Sequence, residues 1–343
     1  MKLGIKIAAF GRALRDASFH RMNQNITAIH RETGANRVRL FVDMVWCSVR
    51  YGVGYLDYRV FGFVNIHGRR RRTFMTAGEN VALTRRFNSR ECYPLLNDKI
   101  LFCKTWQEFM GRPILDLREA TDEEFAALCR EEGALFVKPT MEFGGKGVEK
   151  LNFDGSEDFA ALRERLVEEG RFLAEGVIAQ HPDLARLCPS SVNTLRLVTL
   201  LLDGQPHLLY ALLRVGSGKN HVDNISSGGM YTVIGDDGVL HFPAFCDKTS
   251  RFYDAHPVTG VRFEGFCVPY YAEAVEMCKK AALVEPKLGY IGWDVAITPN
   301  GPVLVEANNL PGYDMIQNAR FHPDGQGILP MLEQLLGGKI TTK

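Results

Sequence analysis

Beyond residue 190 the chain alternates apolar and polar positions in short runs broken by Asp, Asn, Pro and Gly, the pattern of strands joined by tight turns. The spacing predicts a hairpin of Asn193–Leu202 with Gln205–Val215 around Asp203-Gly204. A second pairs Met230–Ile234 with Val239–Phe242 around Asp236-Asp237-Gly238. A helix from about Tyr270 to Lys287 precedes a third hairpin, IGWDVAIT and GPVLVEANN, turning at Pro299-Asn300-Gly301. Successive strand residues point to opposite faces. Asp294 therefore lies in the first strand of this hairpin, while Glu306 and Asn308 share one face of the second strand and its exit. A closing helix is expected over about Ile328–Leu336.

Upstream the period lengthens toward that of helices. Residues 1–45 mix helical spacing with basic residues, and residues 95–109 have it too, with Asn97 or Asp98 as a cap. Residues 58–76 (YRVFGFVNIHGRRRRTFMT) predict a hairpin turning at His67-Gly68, with the Arg69–Arg72 run at the turn and return strand. Thr121-Asp122-Glu123-Glu124 is a capping box that opens a helix ending near Gly133. A strand Ala134–Lys138, a loop Pro139–Gly147 and a strand Val148–Phe153 follow. Ser156 then begins a helix with Phe159, Leu162 and Leu166 on its apolar face, and residues 171–178 return as a strand. This order predicts helices packed on a largely antiparallel sheet, in an α+β chain of two lobes.

Composition adds one asymmetry. The 343 residues suggest about two or three domains, with 46% hydrophobic and 24% charged residues and a net charge of +1. Residues 1–100 hold 18 Lys+Arg against 7 Asp+Glu, whereas residues 101–343 hold 23 against 33. The first third therefore suits an anionic partner, the acidic remainder of the chain, or plain solvation. The arginine run fits either a solvated edge that blocks strand pairing or a patch for phosphate or an acidic polymer. Eight cysteines without a C-x-x-C pair fit neither a zinc site nor a disulfide framework, and reduced thiols in the cytoplasm are the expectation. No apolar run reaches the ~18–20 residues that span a bilayer. The opening MKLGIKIAAFGRALRD carries only a broken apolar patch and does not read as a signal peptide.

Several residues could carry chemistry. Asp294, Glu306 and Asn308 offer hard oxygen ligands at the end of an apolar hairpin, as magnesium prefers; solvated acids beyond a turn are the plainer alternative. Lys138 ends the apolar strand ALFV, either as a point charge for phosphate or as a lysine snorkelling from a sheet edge. Gly144, Gly145, Lys146 and Gly147 make a loop able to turn backbone N–H groups toward an anion, or a plain turn. It is not a Walker A loop, because Gly147 stands where Ser or Thr would be. Arg196 and Arg214 lie within apolar strands and face either solvent or a buried anion. NHVDNISSGGM (220–230) suits a second substrate or a surface loop, and His256 a base or a contact.

These pieces, in this order, resemble the ATP-grasp superfamily, and most of all its sugar-transfer-associated branch. The resemblance is carried by LLNDK, LFVKP, the glycine loop, AEGVIAQHP, SVNTLRLVTLL, LLRVGSG, HVDNISSGG, HPVTG, GYIGWDVAIT and VLVEANN, over roughly residues 50–320. It implies an ATP-grasp fold in which two α+β lobes clamp ATP. Residues 1–110 would be a basic region of mixed helix and hairpin, 111–176 the lobe with the lysine and glycine loop, and 177–343 the metal-binding lobe. Lys99 and Lys138 would contact the phosphates, Gly144–Gly147 would close over them, and Lys146 would add catalytic charge. Glu175 and the backbone of Val177 and Ile178 would frame the adenine, and Asp183 the ribose. Asp294, Glu306 and Asn308 would bind Mg2+. Arg196 and Arg214 would act on the transferred phosphate, and Asn224, Ser226, Ser227, Gly228 and His256 on the acceptor.

The implied activity is a carboxylate–amine ligase working through an acylphosphate on small-molecule substrates, sugar-linked or amino acid, with no nucleic-acid partner. The alternatives are a kinase that stops at phosphoryl transfer and a nucleotide-binding protein without turnover. One departure stands out. The first ~95 residues lack the glycine-punctuated βαβ pattern of the substrate domain that opens better-known ATP-grasp ligases.

Overall fold

The computed structural model describes residues 19–142, 147–218 and 228–340. Contacts divide the chain into two compact units. Among the described residues, 19–86 and 312–340 form one and Phe87–Pro311 the other.

The first unit is helical. Helix α1 (Phe19–Thr33) and helix α2 (Arg37–Tyr51) are followed by a short α3 (Tyr55–Val60). Asn36 caps α2 by accepting from the amides of Val38 and Arg39, and Gly52 closes it in the left-handed conformation. Met22, Ile26, Ile29, Leu40, Met44 and Cys47 bury one face of α1 and α2 against Phe61, Phe63 and Phe74.

The hairpin expected over residues 58–76 is absent. The segment is α3, then a loop, then a 3-10 turn at Gly68–Thr73. The three phenylalanines cluster with ring centroids 5.0–5.6 Å apart, and Gly62 and Gly68 take positive φ, which breaks an extended run. Arg71 turns inward. It pairs with Asp43 of α2 and donates to the carbonyls of Phe63 and Ile66. Burying an arginine requires such a set of partners. The C-terminal segment joins this unit through Gln317, whose amide exchanges hydrogen bonds with the backbone N–H (2.8 Å) and C=O (2.9 Å) of Met75.

The second unit holds two antiparallel sheets. The smaller has four strands in the order β1 (Ile114–Asp116), β4 (Leu173–Gly176), β2 (Ala134–Lys138), β3 (Glu149–Asn152). Two helices pack on it: α7 (Asp122–Glu132), opened by the Thr121–Glu124 capping box, and α8 (Phe159–Glu168). In the chain α4 (Ala77–Phe87) ends the first stretch of the first unit, and α5 (Pro94–Asn97) and α6 (Lys99–Thr105), the last capped by Asp98, open the second. The larger sheet has seven strands, β11-β10-β5-β6-β7-β8-β9. From the β11 edge inward it comprises β11 (Gly301–Asn308), β10 (Tyr290–Thr298), β5 (Thr194–Leu202) and β6 (Gln205–Val215). Beyond them lie β7 (Met230–Val233), β8 (Ala244–Cys246) and β9 (Arg251–Tyr253).

The Asp203-Gly204 hairpin forms with both turn residues at positive φ, as its chemistry demands. The second expected hairpin shrinks to a single bridge, Ile234 to Leu240. β7 pairs instead with β8, because Val239 bridges to Cys267. The helix α10 (Tyr271–Ala281) is shorter than its expected span, and α11 (Leu329–Leu335) closes the chain. All eight cysteines are free thiols, seven of them buried. Among the described residues no helix is long and apolar enough to cross a membrane.

Candidate functional site

Two buried carboxylates organise the second unit. On the smaller sheet, Glu175 lies diagonally across from Lys138, since Phe136 is its register partner and Leu173 that of Lys138. Lys138 Nζ donates to Glu175 Oε1. Arg112 Nε and Nη2 donate to Oε2 at 3.1 and 2.8 Å. Burial would raise the Glu175 pKa; the Lys138 and Arg112 charges outweigh it and hold the carboxyl down to about 2. Arg112 Nη1 also reaches the Leu304 carbonyl of β11 at 2.7 Å, so this one guanidinium touches both sheets. Sequence reasoning missed Arg112. An arginine in a GRP turn carries no periodic signal.

The second cluster lies across the β11 end of the larger sheet. Glu306, Asp294 and Arg196 are successive register partners on β11, β10 and β5. Asp294 is fully buried. Arg196 Nε donates to its Oδ1 and Nη2 to its Oδ2 (3.0 Å), while Arg214 Nη2 donates to Oδ2 at 3.1 Å. Both arginines thus face the buried anion, which strand alternation alone left open. Burial pushes the Asp294 carboxyl up, but the two guanidiniums prevail and lower it. Glu306 keeps a solvent-facing edge, yet the protein around its carboxyl and then the Asp294 charge push it up to about 7. The carboxamide nitrogen of Asn308 is buried and has no hydrogen-bond partner among the described residues.

A β-bulge makes this arrangement possible. Asp294 pairs with Glu306, but Val295 pairs with Leu304, so β11 carries one extra residue at Val305. Leu304 and Ala307 thereby share the hydrophobic core, while Glu306 and Asn308 turn to the other face.

The remaining expected residues surround these clusters or lie elsewhere. Lys99, at the start of α6, donates through Nζ to the Glu142 carbonyl, and its amide meets the Thr140 carbonyl at 3.1 Å. Burial and then the Lys138 charge lower its pKa, and Glu306 and Glu175 act on it in the opposite sense. The Lys138 and Asp294 clusters therefore lie within electrostatic reach of one ammonium. Gly147 has φ +70°, and a Cβ there would come within 2.8 Å of Pro139. Gly144, Gly145 and Lys146 lie outside the described residues, as do Asn224, Ser226 and Ser227. Val177 and Ile178, half-buried, follow β4 in the segment that reaches the larger sheet, where His181 donates its N–H to the Ile297 carbonyl.

Asp183 is exposed at the start of helix α9 (Pro182–Leu187), 3.6 Å from Arg186. Gly228 is buried, with φ +101°. His256 is buried as well. Its Nε2 meets the Gly216 carbonyl at 3.0 Å, and its Nδ1 meets the amides of Val258 and Thr259 at 3.3 Å. Gly216 is gripped from its other side by Asn193 Oδ1 (3.2 Å). His256 thus fixes the backbone just before the 219–227 segment. Among the described residues no group of three or more His, Cys, Asp and Glu gathers as a metal cage. The candidate ligands are two carboxylates and one carboxamide.

The chain belongs to the sugar-transfer associated ATP-grasp family, whose model matches residues 79–335. Its two antiparallel sheets with packed helices are the α+β ATP-grasp fold. Among solved structures it is similar to the ATP-grasp ligase PsnB complexed with precursor peptide PsnA2 and AMPPNP. Identity is 14% and the TM-score 0.43, covering 73% of this chain and 61% of that one. It is also similar to D-alanyl-alanine synthetase A from Vibrio cholerae, with 13% identity, a TM-score of 0.41, and 73% and 67% of the two chains covered. A third is N5-carboxyaminoimidazole synthase from Aspergillus clavatus in complex with ADP and 5-aminoimidazole ribonucleotide. There the identity is 13%, the TM-score 0.38, and coverage 65% and 46%. The chain spans about 61% of the length of PsnB. No curated protein matches it.

Proposed function

We propose that this chain is an ATP- and magnesium-dependent carboxylate–amine ligase that works through an acylphosphate, on a sugar-linked or amino acid substrate. One observation carries the reading. Asp294 is held by two arginines, yet a second carboxylate, Glu306, and the Asn308 carboxamide, whose nitrogen has no partner among the described residues, share its face. Like charges so close favour a proton or a cation between them. Asp294, Glu306 and Asn308 supply the hard oxygen donors that suit magnesium, and a carboxamide whose nitrogen has no protein partner can turn its oxygen to an ion. A bound magnesium ion would neutralise triphosphate charge and help align it for transfer.

The chain's own residues would do the rest. Lys99 and Lys138 hold phosphate oxygens, and Gly144, Gly145, Lys146 and Gly147 are assigned to the same phosphates. Glu175, Val177 and Ile178 border the adenine, and Asp183 the ribose. A substrate carboxylate oxygen attacks the γ-phosphorus of ATP, and ADP leaves. Arg196 and Arg214 stabilise the charge on the transferring group. An amine then attacks the acyl carbon, phosphate departs, and an amide forms. Asn224, Ser226, Ser227, Gly228 and His256 are assigned to the acceptor.

Hydroxylamine trapping with Mg–ATP across a panel of carboxylates tests this. A ligase gives an ATP-dependent hydroxamate. A stable phosphorylated product would point to a kinase, and nucleotide binding without turnover on any acceptor would end the catalytic reading.

A further inference from the structure

Helix α2 has two apolar faces. One, bearing Leu40, Met44 and Cys47, is buried in the first unit. On the other, Val38, Val42, Trp46 and Val49 recur at helical spacing with Phe41 beside them. They are 72%, 59%, 56%, 54% and 42% exposed. A run of large side chains in water on one helix face marks a surface that meets something apolar. Its margins are cationic: Arg37, Arg39 and Arg50 are exposed on the same helix. Arg69, Arg70 and Arg72 are exposed on the neighbouring 3-10 turn, which is fastened to α2 by the Arg71–Asp43 pair. Asp43 is the only acid on α2, and Arg71 and Tyr58 engage it. A groove of about 580 Å³ runs along this face between Val38, Val42 and Trp46 and the His67 side.

We propose that this face docks on an anionic phospholipid surface, with α2 lying in the plane of the interface. Apolar residues with an indole at the centre and arginines at the rim are what an interfacial helix presents to acyl chains and lipid phosphates. The two signals together suffice for reversible anchoring, where either alone is marginal. A second copy of the chain fits worse. An isologous contact would set the arginine rims against each other with no acid between them. Residues 1–18 bring four more Lys+Arg against one Asp, so they do not complement the rim either. The inference stands apart from the ligase reading and rests on none of its residues.

The test is flotation of the full chain with vesicles of phosphatidylglycerol and phosphatidylcholine, against phosphatidylcholine alone. Binding to the anionic vesicles is expected, and it should weaken as salt is added. Trp46 reports insertion, because Trp106 and Trp293 are fully buried. Its emission should shift to the blue and be quenched by brominated lipid. Val42→Asp, at an exposed site, should cut the bound fraction roughly tenfold or more with an unchanged melting temperature. Arg39→Glu combined with Arg70→Glu should do the same through charge. The proposal falls if the anionic vesicles float no protein, if phosphatidylcholine alone floats as much, or if Val42→Asp floats like the parent. It also falls if sedimentation reveals a dimer that buries Trp46 and excludes vesicles.

Discussion

Glu175 and Asp294 invite comparison because each is a buried carboxylate held by two cations. Around Glu175 one carboxylate meets two cations, and both its oxygens are taken. Lys138 and Arg112 take its two oxygens, and Arg112 spends its remaining N–H on backbone carbonyls. Around Asp294 two guanidiniums meet two carboxylates, because Glu306 stands opposite it in register with its proton affinity raised. A carboxylate flanked by surplus cations braces a fold and leaves positive charge for an anion, whereas a second acid pressed against a first is a place for a cation or a proton to come and go.

The sharpest way to break this contrast is to remove each acid in turn. Glu175→Gln would leave Lys138 and Arg112 buried without a counter-charge, and unfolding should become easier by about 3–5 kcal/mol. Thermal or urea denaturation measures it, and a loss below about 1 kcal/mol would remove Glu175 from its bracing role. Glu306→Gln should leave the fold intact, with stability at neutral pH unchanged or raised because the cost of ionising the carboxyl goes with it, yet lower magnesium-dependent turnover at least roughly a hundredfold. Full turnover in that variant would end the metal assignment.

The pH dependences should oppose each other. Glu175, lowered in the fold, contributes stability that is present above the ordinary glutamate pKa and lost as pH falls toward about 2. Glu306, raised in the fold, contributes stability that is present below its ordinary pKa and lost as pH rises through about 7. Denaturation in chelator across this range should show both slopes. Glu306→Gln should flatten only the upper one; a retained upper slope would assign it to another group.

Smaller effects sharpen the picture. Asn308→Ala removes a group whose nitrogen makes no protein hydrogen bond, so stability should hold while magnesium affinity falls roughly tenfold or more. Lys99→Ala should weaken ATP binding by about tenfold with little change in melting, readable by calorimetry. Unchanged affinity would take Lys99 out of the nucleotide site.

Much of this was legible where local chemistry decides structure. The Thr121 capping box, the Gly133 stop, the Asp98 cap and the Asp203-Gly204 turn are all realised, because each is settled within a few residues. The alignment of Asp294, Glu306 and Asn308 on one hairpin was readable from alternation; the bulge that permits it was not, because a two-residue period cannot announce its own interruption. Long-range choices were silent. Nothing near Arg112 says that it meets Glu175, 63 positions away. The aromatic run 58–76 looked like strands because tertiary packing of Phe61, Phe63 and Phe74 overrode a propensity that is weak by itself.

The extra residue at Val305 has one last consequence. Were Val305 to take an ordinary place in the ladder, plain pleating would ask Leu304 and Glu306 to look the same way. Either a leucine would face water or a carboxylate would enter the oil. Letting Val305 bulge out of register is thus what allows an otherwise greasy ribbon to carry acid on one flank without forfeiting its grip on the interior.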